Sequence, residues 1–147
     1  MTLTRSELEK LLPHRPPILM LDRVVDIVPR KRGTGLKCFS KDDPCFAGHF
    51  PGFPILPGAL AIEAMAQTAA AVFLAQQDPG SSGLGMLGKV NEMTFFARIV
   101  PEDEARFVIE VERAVGPFFI VNAKACVDDR TCAAGKLTLK MGAEGPV

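Results

Sequence analysis

Residues 58–77 read GALAIEAMAQTAAAVFLAQQ. Pro57 stands just before this run, where its missing N–H does no harm, and Asp78-Pro79-Gly80 follows as a stop signal. The spacing predicts a helix over residues 58–77, roughly 30 Å long at the rise of an α-helix. Alanine occupies positions 59, 61, 64, 66, 69, 70, 71 and 75, so the helix is apolar nearly all round and belongs in an interior. Such small side chains let a sheet come close to the helix axis.

What lies on either side is mostly strand. Upstream, TRSELEKLLP reads as a short helix with Thr4 as N-cap, Glu7 in the capping-box position and Pro13 as its stop. HRPPILMLDRVVDIVP (14–29) is extended, and its proline pair excludes a helix there. RGTGLKCFS (32–40) is a strand entered through Gly33 and Gly35. Downstream, residues 83–98 form a long extended segment with Phe95 and Phe96. EARFVIEVERAVG (104–116) alternates, with Ala105, Phe107, Ile109 and Val111 on one face and charged residues mostly on the other. PFFIVNAKACV and TCAAGKLTLKM flank an Asp128-Asp129 turn, as a hairpin would. One buried helix followed by long antiparallel strands is an α+β pattern, a curved antiparallel β-sheet wrapped around a long central helix. There is no internal repeat and no linker. Residues 1–147 are expected to form one domain, with 142–147 as a flexible tail.

Composition narrows the function. Lys+Arg and Asp+Glu both number 17, so no net charge draws the chain to nucleic acid or an anionic membrane. The apolar runs are interrupted by Glu63 and Gln67, so none reads as membrane-spanning, and the N-terminus lacks the apolar core of a signal peptide. A cytoplasmic protein with reduced thiols is the expectation. Cys38, Cys45, Cys126 and Cys132 show no metal or redox spacing, and the last two sit in strand-like segments as small apolar residues. Trp and Tyr are absent, leaving acid–base work to His, carboxylates, Lys or Cys.

Three features could carry such work. Glu63 lies on the second turn of the apolar helix, with Ala59, Leu60, Ala66 and Gln67 as its neighbours on that face. A carboxylate buried there is costly unless it is paired or protonated. Gln67, one turn on, either orients it or is a satisfied amide of the core. His49 is enclosed by Gly48, Phe50, Pro51 and Gly52 in a stiff loop, which suits an imidazole that must meet a reacting atom accurately. A structural role for a lone histidine is the competing reading. Gly58, opening the helix, offers an unpaired N–H at the positive end of the dipole, with no side chain to bar a carbonyl oxygen. Histidine, carboxylate and backbone donor together suit proton abstraction next to a carbonyl. Cys45 is four residues from His49 but has no group to orient a base. His14 is read as an anchor of the N-terminal segment, with lining of the site as the alternative.

The blocks LPHRPPILMLDRV (12–24), GHFPGFPILPGALAIEAMAQ (48–67) and VNEMTFFARIVPED (90–103) resemble the 3-hydroxyacyl-[acyl-carrier-protein] dehydratases of the FabZ type, nearly over the full chain. EAMAQ is the FabZ form, whereas the related FabA type has Asp where Glu63 stands. The resemblance implies a hotdog fold and dehydration of a 3-hydroxyacyl thioester without metal or organic cofactor. It implies that His49 takes the α-proton, Glu63 is the acid toward the departing hydroxyl, and the Gly58 N–H holds the thioester carbonyl. Phe50 and the loop 51–57, ending at Pro57, would wall the acyl tunnel. The partners implied are acyl carrier protein and a second copy of the chain, since histidine and glutamate come from opposite subunits of a homodimer. A trimer of dimers is the larger assembly. Alternatives are a hotdog hydrolase or isomerase, and a non-catalytic acyl-thioester-binding subunit. The chain departs from the family pattern at Phe53, a usually polar position, at Thr94, Phe96 and Ala97, usually basic, and at Glu102, usually Gly. These changes bear on carrier recognition more than on chemistry. Arg23, Lys89 and Arg98 are the substitutes available.

Overall fold

A computed structural model of the chain describes residues 1–77 and 84–143. Strand β1 (Leu3–Thr4) leads into helix α1 (Arg5–Leu11), and β2 (Arg23–Val28) and β3 (Arg32–Cys38) form a hairpin. Helices α2 (Pro44–Ala47) and α3 (Gly58–Leu74) follow, and then β4 (Leu84–Phe95), β5 (Glu104–Val115), β6 (Phe118–Val127) and β7 (Arg130–Ala143). The strands make one antiparallel sheet in the order β1-β2-β3-β5-β6-β7-β4, so β1 and β4 are its edges. Strands β2 to β7 all pack against α3. The α+β arrangement of a sheet around a central helix is therefore the one read from the sequence.

The local signals act as expected at most ends. The Thr4 hydroxyl accepts from the Glu7 N–H and the Glu7 carboxylate accepts from the Thr4 N–H, completing the capping box. These bonds hold the Glu7 carboxyl below the usual carboxylate range. Helix α1 stops at Leu11, before Pro13. Helix α3 is three residues shorter than its sequence pattern. Its C-cap is Ala75, and two of its last carbonyls are taken from outside the helical ladder, Val72 by the Arg30 N–H (3.0 Å) and Leu74 by the Gln77 N–H (2.9 Å). The stop signal at 78–80 lies outside the described residues. So do the first residue of the 83–98 segment and the last four residues of the anticipated tail. Gly142 and Ala143, counted with that tail, continue β7.

Helix α3 is buried along most of its length, with Ala64, Met65, Ala69, Ala71 and Val72 fully enclosed. The closest approach of helix to sheet is at β3. A Cβ at Gly33 would lie 2.6 Å from Val72 Cγ2, and one at Gly35 would overlap the Thr68 hydroxyl. The two glycines are thus not the entrance of the strand but the surface on which α3 rests. On β5 the alternation holds through Ile109, with Ala105, Phe107 and Ile109 buried, and the pairing shifts between Val111 and Arg113. Cys126 and Cys132 are buried in β6 and β7, as small apolar residues should be. Helix α2 was not anticipated. Its signal was Asp43 followed by Pro44, an N-cap before a proline-led first turn.

Candidate active site

The loop between α2 and α3 is tied down by its own backbone. The Phe50 N–H donates to the Phe53 carbonyl (2.9 Å) and the Phe53 N–H returns the bond (2.8 Å), closing a tight turn in which Gly52 has φ +76°. The Ile55 N–H donates to the His49 carbonyl (2.8 Å), and the Leu56 N–H to the Ile99 carbonyl (2.8 Å). His49 is fixed at the centre of this loop. Its Nδ1 lies 2.8 Å from the Ile55 carbonyl oxygen, and its ring stacks on Phe50 with centroids 4.2 Å apart. A carbonyl can only accept, so Nδ1 carries the hydrogen and Nε2 keeps its lone pair. In the neutral ring the lone pair is therefore at Nε2.

His49 opens onto a cleft of about 460 Å³. Its floor is the first turn of α3, at Gly58 and Ala61, and its walls include Phe95, Phe96 and Arg98. Gly58 is the first helical residue, after Pro57 as N-cap. No acceptor among the described residues takes the Gly58 N–H. The space beside its Cα is not open, however. A Cβ there would meet the Phe95 ring at 2.9 Å, so glycine is what lets that ring lie over the helix start. Phe50 and Phe53 are half exposed beside the loop. The Arg98 guanidinium lies over the Phe53 ring, 4.9 Å from its centroid, so one of the chain's unusual positions packs against a basic residue of the cleft wall.

Glu63 does not enter this cleft. It is two residues beyond Ala61, about 200° round the helix. Its carboxyl sits on the opposite side of α3, against the loop of residues 12–20. Gln67 Nε2 donates to Glu63 Oε1 (3.0 Å) and to the Ile18 carbonyl (2.7 Å), while Gln67 Oε1 accepts from the Met20 N–H (3.2 Å). Gln67 is thus both an orienting group and a satisfied core amide. His14 Nε2 faces the same Glu63 oxygen at 3.6 Å. The expected meeting of His49, Glu63 and the Gly58 N–H therefore does not occur within one chain, because helical periodicity puts the glutamate on another face. The Glu63 side chain keeps 30 % of its exposure, so it is only partly enclosed. His14 thus faces a candidate site residue, in line with the alternative to its reading as an anchor. The signal that could have revealed it is the side chain of Gln67, which has to bond something in an interior.

The surroundings of Cys45 disfavour its thiolate. Burial, and then its hydrogen bond with Asp43, push its thiol up to about 12, so it stays protonated at neutral pH. At Glu102 the backbone is left-handed, with φ +72°, the conformation that favours glycine. Its carboxylate accepts from the Lys41 N–H (3.0 Å), one bond to set against that cost. Among the described residues there is no cluster of side chains able to hold a metal ion and no helix long and apolar enough to cross a membrane.

Comparison with known proteins gives consistent matches. The family model described as a FabA-like domain matches residues 12–136. The 3-hydroxyacyl-[acyl-carrier-protein] dehydratase FabZ of Bacillus pumilus is 31% identical over 140 residues, covering 95% of this chain and 96% of the relative. That of Ruminiclostridium cellulolyticum is 36% identical over 141 residues, covering 95% and 97%. Among solved structures, the dehydratase heterocomplex ApeI:P of Xenorhabdus doucetiae aligns with TM-score 0.78 and 19% identity, over 93% of this chain and 91% of that one. This last likeness is one of fold.

Proposed function

The chain belongs to the FabZ family of FabA-like dehydratases, and from that premise we propose that it removes water from a 3-hydroxyacyl thioester carried on acyl carrier protein, giving the trans-2-enoyl thioester. The observation that carries the reading is the His49 ring, fixed through Nδ1 with Nε2 bare, in an apolar-walled cleft that also holds the free Gly58 N–H. The thioester carbonyl accepts from Gly58, which acidifies the α-carbon. His49 Nε2 takes the α-proton, the electron pair forms the α–β double bond, and the β-carbon–oxygen bond breaks. The departing hydroxyl needs a proton, and the reading gives that role to Glu63. No electrons are gained or lost overall, so no redox cofactor is required.

Because Glu63 lies on the far side of α3, the acid serving a given His49 comes from a second copy of the chain. Strand β4 supports this. It is an edge of the sheet, and Met86, Leu87, Val90 and Phe95 on it, with Phe96 just after it, are all more than 40 % exposed. An apolar, unpaired edge of this length is poorly suited to water and well suited to pairing with its own copy in a homodimer. A trimer of such dimers is the larger form. Arg98 lines the cleft, and with Arg23 and Lys89 it is a candidate contact for an acidic carrier. The site of action is the cytoplasm. The test is turnover of 3-hydroxyacyl thioesters of graded length on both acyl carrier protein and coenzyme A. Absorbance of the conjugated enoyl thioester is expected to rise on the carrier protein. Release of free thiol without it would instead indicate a hydrolase.

A further inference from the structure

The Glu63 carboxyl has two donors directed at one oxygen. Gln67 Nε2 donates to Oε1, and His14 Nε2 faces that oxygen from the loop. The other His14 nitrogen, Nδ1, is buried and has no hydrogen-bond partner. A hydrogen on Nδ1 would be an orphaned buried donor, so the ring carries its hydrogen on Nε2, toward Glu63. The loop is held on both sides of the ring. Arg15 Nη1 donates to the Leu12 and His14 carbonyls (3.0 and 2.7 Å), and Gln67 binds Ile18 and Met20. The 3.6 Å separation is longer than a hydrogen bond, and such contacts shorten when substrate is bound.

We infer that His14 is a positioning residue for Glu63: its Nε2–H and Gln67 together hold Oε1, which leaves Oε2 as the oxygen that carries the proton to the substrate. This rests on the assignment of Glu63 as the acid. The consequence is chemical as well as geometric. A donor aimed at Oε1 favours the carboxylate that remains after the proton has left. The other ionisable groups near the pair are few. Arg15 is turned to backbone carbonyls, α3 offers only the uncharged Gln67, and no other basic side chain among the described residues pairs with Glu63. In the proposed dimer, His49 of a second copy faces it across the substrate.

The experiment compares the pH–rate profiles of H14L, H14Q and E63Q in the full chain, with circular dichroism as the check on folding. In H14L, kcat is expected to fall about tenfold, the worth of one charge-assisted hydrogen bond, with KM unchanged. The alkaline limb should move up by about half a pH unit, because an acid that has lost a donor to its anion holds its proton longer. In H14Q the amide nitrogen reaches the place of Nε2, and both rate and limb should return. A slower H14L whose alkaline limb has not moved would show that His14 only shapes the loop, and would overturn the inference. So would an H14Q as impaired as H14L. If H14L does not fold, H14Q alone decides, by a wild-type limb or a displaced one. The underlying assignment is read separately: an active E63Q removes Glu63 as the acid, whereas an inactive E63Q beside an unaltered H14L removes only the role of His14.

Discussion

Replacing His49 with alanine is expected to lower kcat about 10²–10⁴-fold while KM and the unfolding temperature stay close to those of the parent chain. The magnitude follows from the role. Among the described residues that line the cleft, His49 is the one with an imidazole nitrogen, and a positioned proton-transfer group is worth about 10²–10⁴-fold in rate. Sparing of KM follows from what the substitution leaves in place. Gly58 still presents its N–H, and the walls formed by Phe95, Phe96 and Ile99 do not depend on the imidazole. The fold should survive because the ring gives up one hydrogen bond, to Ile55, and its stacking on Phe50, whereas the backbone bonds of the loop do not involve the side chain. Steady-state kinetics with an enoyl thioester, read beside thermal denaturation, separates these effects. A variant that keeps its kcat would remove His49 from the mechanism.

The second large effect is on stability, at Gly35. An alanine Cβ there would run into the Thr68 hydroxyl and come within 3.0 Å of Leu21 Cδ2 and 3.2 Å of Thr68 Cβ. Thr68 cannot easily yield, because it is fully buried and its hydroxyl donates to the Ala64 carbonyl (2.8 Å). Either α3 lifts from β3 or the threonine leaves its rotamer. Overpacking of this kind costs about 1–3 kcal/mol, which for a domain of this size lowers Tm by roughly 3–10 °C. The G35A/T68A pair should recover part of the loss, since removing the hydroxyl removes the worst overlap while the 3.2 Å contact with Cβ remains. Chemical denaturation of the two single variants and the double variant measures that coupling. Purely additive losses would mean that the helix, not the threonine, gives way.

These two glycines show where sequence reading succeeds and where it stops. Helix α3 was legible because twenty residues of alanine-rich, unbroken sequence admit few alternatives. The strands after it were legible because Ala105, Phe107 and Ile109 alternate with charge. Gly33 and Gly35 were seen as part of a strand, but the fact that they form the seat of α3 depends on which strand the topology brings beneath the helix. That is a long-range property. The site divides in the same way. The placing of His49 in a stiff loop and of Gly58 at a helix start was legible, since both are local features. The separation of Glu63 from His49 was open to simple counting, because residues 61 and 63 cannot share a helix face. The approach of His14 to Glu63 was not, since it joins residues 49 apart through a loop with no regular structure.

The account stands on the idea that each site draws its base and its acid from different copies of the chain. The most direct test is to produce H49A and E63Q together in one cell and purify the mixed assembly through two different affinity tags. Each variant alone is expected to be inactive. Every mixed dimer should hold one site with both residues intact and one with neither, so the doubly tagged species should show about half the activity of the parent dimer. A purified mixed dimer as inactive as either variant alone would contradict the account.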